Sequence, residues 1–484
     1  MTLIPLEIPP GVYANGTDIQ SSQRWLDASL VRWIDGTMRP VGGWSERDVT
    51  ATGKAPRGAF AWEDNSGNQW LALGMYDELN VISAADTLSD ITPAGLTAGT
   101  EDAVASTGYG AGFYGTARAS ATVGTASTWS FDNWGENLVA CSDADGVLYE
   151  WTLNTGSEAA TISNAPTDCC GLVVTPERFL FALGAGGDPR KVQWSDREDN
   201  TTWTAASTNE AGDLLLQTAG NIRQGLAGRG ETIILTSTDA WVATYQGPPF
   251  VYGFERAGSA CGSVGKRAGV SVNGQAFWMG YGSFFVYGGG SVQEVPCDVA
   301  DKVFQNLNTA QRSKVYALTN SAFNEIWWFY PTGVECDSYV VYNYREGHWA
   351  TGSISRTAGV DRGVFQVPIW FSAGGDVYSH EVGNNYGGAE VYAESGPIMI
   401  GSGDNVMNVT HLYPDEDTQG DVTATFKTRF YPNGTERDYG PYTMSNPTSV
   451  RFTGRQIRLR VVGNTLTDWR FGIPRIDAKT MGRR

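Results

Sequence analysis

One repeating unit limits what this chain can fold into. A polar turn leads into a short apolar or aromatic strand, a Gly/Asp/Ser turn follows, and a second strand ends on an aromatic or β-branched residue. Seven copies can be read: Trp70–Leu73 with Leu79–Ile82, Leu138–Cys141 with Val147–Trp151, Phe179–Leu183 with Lys191–Trp194, Thr232–Leu235 with Ala240–Tyr245, Gln275–Met279 with Ser283–Tyr287, Glu325–Tyr330 with Ser338–Asn343, and Pro368–Phe371 with Asp376–His380. Counted from Gly67, Gly135, Pro176, Gly230, Gly274, Phe323 and Val367, the spacings are 68, 41, 54, 44, 49 and 44 residues. Five of the six lie near the ~40 to 50 residues of one four-stranded propeller blade. A β-sandwich or a long β-helix would match the turn density but not this period. The expectation is an all-β chain with a seven-bladed β-propeller over about residues 51–385.

Composition agrees. Glycine supplies 60 of 484 residues, beside 17 Trp, 21 Tyr and 19 Phe, the mixture of Gly-rich turns and aromatic strands that all-β proteins use. The one overlong spacing has a visible cause, since residues 94–128 hold 26 Gly, Ala, Ser or Thr among 35. Such a stretch cannot bury a core of its own, so it reads as an insertion between blades one and two. Within it, Tyr109, Phe113 and Tyr114 are interleaved with glycine. A plain linker would have no use for three exposed rings, and long loops commonly carry function. A short helix is expected after blade five, with Cys297 and Asp298 capping Val299, Val303, Phe304 and Leu307 at helical spacing.

Beyond about residue 386 the strands lengthen. In Arg455–Val462, Ile457, Leu459 and Val461 alternate with Arg458 and Arg460, the period of a half-buried strand. Residues 386–484 therefore read as a separate β-sandwich-like platform domain. Residues 1–50 lack the blade pattern and are expected to join that platform or to close the last blade.

The formal net charge of −18 excludes a general nucleic-acid binder, because phosphate affinity comes from Lys and Arg. The last 34 residues are the exception, with nine basic side chains against Asp468 and Asp477. A basic end on an acidic body suits docking to an acidic partner or to another copy, and equally suits a solvated basic strand pair. No apolar run reaches the ~18 residues a membrane span needs. The start of the chain has no secretory pattern, so synthesis in the cytoplasm is expected. Six scattered cysteines make no disulfide framework.

Catalytic signatures are scarce. His348, His380 and His411 have no His or Cys partner at metal-ligand spacing. No nucleophile elbow, zinc-protease motif or phosphate loop occurs. Asp143-Ala144-Asp145-Gly146 with Glu150 faintly resembles a calcium loop, yet it lacks the remaining ligands and reads more simply as a hairpin turn. The expectation is a non-enzyme without cofactor or metal. The rival is a carbohydrate-binding or glycan-cleaving propeller, which would need paired carboxylates at the axis and exposed tryptophans. Trp70, Trp194, Trp278 and Trp328 sit inside the strand repeats and read as blade core.

A family resemblance rests on three stretches. The opening Ile8-Pro9-Pro10-Gly11-Val12-Tyr13-Ala14-Asn15-Gly16-Thr17 is followed by Arg24–Trp33 and Gly36–Trp44; Cys261–Gly265 leads on to Tyr281–Tyr287; and the chain nears its end with Trp469-Arg470-Phe471-Gly472-Ile473-Pro474-Arg475-Ile476. With the loop at 108–116, these resemble the tail nozzle proteins of short-tailed bacteriophages. The resemblance implies a virion structural protein made in the host cytoplasm: a homohexameric ring of propellers below the head-to-tail adaptor, beside tail fibre or needle proteins, with no membrane insertion. Genomic DNA would pass through it without sequence-specific binding, repelled by the acidic body. It further implies platform or adaptor contacts at Arg458, Arg460, Arg470, Phe471 and Arg475, with Arg470 and Phe471 as anchors, and a gate or tip contact at Tyr109, Phe113 and Tyr114.

Overall fold

The computed structural model describes residues 3–103, 124–399, 403, 405–415, 419–432 and 434–482. Seven four-stranded antiparallel sheets follow one another along the chain. The seven strand pairs read from the sequence are the two middle strands of these seven sheets. Each sheet also has an inner strand that precedes the pair: Gly58–Glu63, Trp129–Trp134, Gly171–Val174, Ile222–Ala227, Gly269–Val272, Tyr316–Asn320 and Ala358–Val360. These seven strands touch their neighbours in order, and the last returns to the first. The ring is closed, so the sheets are blades around a common axis, a seven-bladed β-propeller.

The outer strands of blades one to six come from the chain after each pair, from Leu88–Asp90 in blade one to His348–Ser353 in blade six. Blade seven is completed from the other end of the molecule. Its outer strand is Trp44–Glu46, registered as Tyr378↔Glu46, Ser379↔Ser45 and His380↔Trp44. The N-terminal segment thus closes the propeller, and it also joins the platform.

That platform has two sheets. In one, Leu3–Pro5 pairs with Arg475–Thr480, followed by Met407–Tyr413 and Thr448–Gly454; in the other, Trp25–Ser29 pairs with Tyr392–Ser395, followed by Gln456–Gly463, Val422–Arg429 and Arg437–Thr443. The alternation predicted for Arg455–Val462 holds: Ile457, Leu459 and Val461 are buried, and Phe426 on the adjacent strand meets Phe452 of the facing sheet with ring centroids 4.7 Å apart. Period-two apolar faces on two sheets leave a sandwich as the way to keep both from water. The sandwich docks on blade six. Val12 N–H donates to the Trp349 carbonyl at 2.7 Å, and Leu30 N–H donates to Tyr339 Oη at 2.8 Å.

Tryptophans stitch the blades together. Trp129 donates its indole N–H to the Met75 carbonyl of blade one at 2.6 Å, and Trp328 donates to the Ala268 carbonyl ahead of blade five at 3.0 Å. Trp194, Trp278 and Trp328 are buried, and Trp70 is partly buried against the blade-one core. Burying each such ring contributes about 2–3 kcal/mol, and the indole hydrogen bond removes the penalty of hiding a polar group.

The expected helix forms over Ala300–Asn306, but its cap differs. Val299 occupies the N-cap position without a side-chain cap bond. Asp298 is engaged elsewhere: its carboxylate pairs with Arg24 at 3.1 Å, and its carbonyl accepts from Ala14 N–H. Tethering the N-terminal segment takes the carboxylate that would have capped the helix.

Candidate functional site

Two surfaces bear on function: the outer face of the platform and the mouth of the propeller axis. On the platform, strand alternation sends Arg458 and Arg460 away from the sandwich core, where an acidic layer meets them. Arg458 donates to Asp18 at 2.6 Å and lies 3.5 Å from Glu436. Arg460 pairs with Glu390 at 2.7 Å and Glu394 at 3.2 Å, with its guanidinium over the Tyr392 ring. Both arginines therefore fasten the sheet internally. Phe471 corrects the expectation of an exposed anchor: it is 3% exposed, bridges to Met38 and meets Trp25 edge-on. An apolar ring one residue from a surface arginine follows the two-residue period of extended chain, which turns Phe471 inward and Arg470 outward. Arg470 and Arg475 are exposed, as are Arg451 and Lys479.

The platform also carries unusual apolar surface. Among the described residues thirteen large hydrophobic side chains are exposed, and seven of them belong to platform segments, including Tyr431 at 65% and Leu466 at 70%. Its sheets end in open edges, Arg437–Thr443 on one and Thr448–Gly454 on the other. An unpaired strand edge can pair with another chain, and exposed apolar side chains gain from being covered. Tyr109, Phe113 and Tyr114 lie outside the described residues. The stems of their insertion are described, and they run beside the propeller axis: Arg57 donates to the Glu101 carbonyl at 3.1 Å, and Gln311 accepts from Ala103 N–H at 3.0 Å.

At the axis the inner strands surround a cavity of about 270 Å³, lined among others by Gly58, Gly171, Gly225, Gly269 and Gly359. Five of seven inner strands place a glycine here because the blades converge. A Cβ on Gly225 would stand 2.5 Å from Val173, and one on Gly58 would stand 2.7 Å from Phe131. The cavity's charged residues are Arg223, Lys266, Arg267 and a single acid, Asp132. Burial pushes the Asp132 carboxyl up to about 6, against donation from Val174 and Asn133 N–H. Paired carboxylates of the kind a glycosidase needs are not brought together here among the described residues. The acid excess of the chain lies elsewhere than the propeller axis.

The remaining candidate chemistry is absorbed by structure. Asp143 accepts from Lys266 at 2.7 Å, Asp145 from Tyr149 Oη at 2.7 Å, and Glu150 from Asn137 and Asn200, so these three carboxylates point to different partners. No cluster of three metal-ligating side chains occurs among the described residues. His380 is buried with Nε2 accepting from Arg356 Nε at 2.9 Å, and burial with the Arg356 charge holds it well below the ordinary histidine range.

One pattern escaped sequence reading. A basic residue stands at or just before the inner strand in five blades: Arg57, Arg223, Lys266 with Arg267, Lys314 and Arg356. Its signal was present as cations recurring at the blade period in an acidic chain, and it became legible only once the inner strands were placed.

No protein-family model matches the chain, and no curated protein matches it. Similar solved structures include virginiamycin B lyase from Staphylococcus aureus, with 8% identity and a TM-score of 0.46 over 70% of this chain and 98% of that one. PorZ of the type-IX secretion system of Porphyromonas gingivalis has 7% identity and a TM-score of 0.39 over 75% and 44%. A protein from Lactobacillus plantarum has 10% identity and a TM-score of 0.38 over 75% and 98%. No activity is read from likenesses this distant.

Proposed function

We propose that this chain is a structural component of a bacteriophage tail, a nozzle subunit that assembles as a ring below the head-to-tail adaptor and surrounds part of the DNA exit channel. The observation that carries this reading is the concentration of exposed apolar side chains and open strand edges on the platform. A domain built from both chain ends and docked on blade six offers neighbouring copies a sticky surface, and leaves the propeller as the peripheral body. The occupant of that surface is a second copy of the chain, with the exposed Arg451, Arg470, Arg475 and Lys479 available to an acidic adaptor. The role is architectural and not enzymatic, which the cationic axis supports over a glycan-cleaving one. Tail fibre or needle proteins would be further neighbours.

Tyr431→Asp and Leu466→Asp place a charge where the reading puts a subunit contact. Both variants should keep the wild-type circular dichroism spectrum and lose ring assembly on adaptor complexes. Assembly that survives both substitutions would remove the platform from this role.

A further inference from the structure

Only some of the cations at the mouth of the propeller axis are met by a carboxylate among the described residues. All seven inner strands run in the same sense, so the basic residues at their starts gather at one end of the axis. Some are compensated. Arg57 is 1% exposed and meets Glu335 at 2.7 Å, Lys314 meets Glu335 at 2.7 Å, and Lys266 meets Asp143 at 2.7 Å. Arg223 and Arg267 have no carboxylate partner among the described residues. Arg223 Nε and Arg267 Nη1 are shut from solvent without a hydrogen-bond partner among the described residues, and so is the hydroxyl of Tyr316, a residue that is 1% exposed. Arg223, Arg267 and Tyr316 all line the same cavity of about 270 Å³, and the Arg267 guanidinium lies over the Tyr316 ring with 5.0 Å to its centroid.

Both arginines are partly buried, and guanidinium donors hidden from water without an acceptor are costly. The segment 104–123, whose stems reach this mouth, contains no Asp or Glu that could neutralise them. Burial lowers Arg267 to about 10, with the Arg57 charge adding to the effect. In a protein of net charge −18, two arginines concentrated at one cavity are not a by-product of composition.

We propose that the mouth of the propeller axis is a binding site for a dianionic tetrahedral oxyanion of the phosphate class, taken by the guanidinium groups of Arg223 and Arg267 with the Tyr316 hydroxyl donating from the wall. A guanidinium fork matches two oxygens of such an ion at once. Leu172, Val173 and Leu226 on the cavity wall leave room for a small organic body attached to the phosphoryl group, so the free ion and a phosphate ester share the chemistry.

Isothermal titration calorimetry at fixed ionic strength tests this, with inorganic phosphate in one arm and a hexose phosphate in the other. Wild type should bind in at least one arm, Arg223→Gln and Arg267→Met should weaken binding at least tenfold, and Arg256→Gln, at an exposed arginine away from the cavity lining, should leave it unchanged. Tighter binding of the hexose phosphate assigns the site to esters; equal or weaker binding assigns it to the free ion. Should Arg267→Met fail to fold, Arg223→Gln, which is only partly buried, carries the test alone. No binding by wild type in either arm, or equal binding by wild type and the Arg223 variant, would overturn the proposal.

Discussion

Arg32 donates from Nε to Glu325 Oε1 at 2.9 Å with both side chains 4% exposed, and this pair ties the N-terminal segment to blade six. The same guanidinium reaches Glu381 beyond blade seven through Nη1 at 2.9 Å and lies over the Phe323 ring. Burial opposes its charge, but Glu325 and Glu381 outweigh that and hold the group protonated. Arg32→Met would leave two carboxylates buried side by side. Removing one member of a buried network costs about 3–5 kcal/mol, so the urea midpoint should fall sharply, and Glu325→Gln, which leaves the Glu381 pairing intact, should cost less.

Closure of the ring rests on a short strand. Arg47 N–H donates to the Val377 carbonyl at 2.8 Å, and its side chain pairs with Asp86 of blade one. Arg47→Pro removes both the donor and the cross-blade ion pair. The expected loss is about 2 kcal/mol or more, read as a lower melting temperature together with new protease cleavage between residues 40 and 56.

His380 gives the propeller an acid-sensitive point. Its ring stacks on Trp370 with centroids 3.9 Å apart and tilts over Trp44, and Arg356 faces Nε2. The folded state keeps the imidazole neutral, whereas the unfolded chain takes up a proton below its ordinary value near 6.5. Its contribution is therefore full above that value and is lost as pH falls. Denaturant titrations at pH 7 and pH 5 should show wild type losing about 1–2 kcal/mol more than His380→Gln over this interval.

Gly225 reports on crowding at the axis. Its missing Cβ would stand 2.5 Å from a Val173 methyl and 3.2 Å from Leu183. Gly225→Ala should destabilise by about 1–3 kcal/mol, whereas Gly282→Ala, with nothing within 4 Å of the added carbon, should be close to neutral by thermal melting.

The middle strands of every blade were legible because they are long enough to show apolar runs such as Trp327-Trp328-Phe329 and Ile233-Ile234-Leu235. Inner strands were not, since convergence at the axis selects glycine and small residues: Gly171–Val174 and Ala358–Val360 carry almost no periodic signal. Outer strands such as Ala160–Thr161 are short and exposed, and Trp44–Glu46 finds its partner more than 300 residues away, which no local pattern can announce. Burial of Phe471 was hidden for a similar reason, because its contacts Trp25 and Met38 come from the opposite end of the chain. Arg458 and Arg460 read correctly as the polar face of a strand, but their carboxylate partners, Asp18 among them, are distant in sequence.

Assembly into a ring is read most directly from mass. Native mass spectrometry of the purified chain, alone and after mixing with head-to-tail adaptor rings, should show a sixfold ring or six copies added to each adaptor. A chain that stays monomeric, ignores the adaptor and binds or cleaves glycans would contradict the nozzle account and favour the carbohydrate-active propeller.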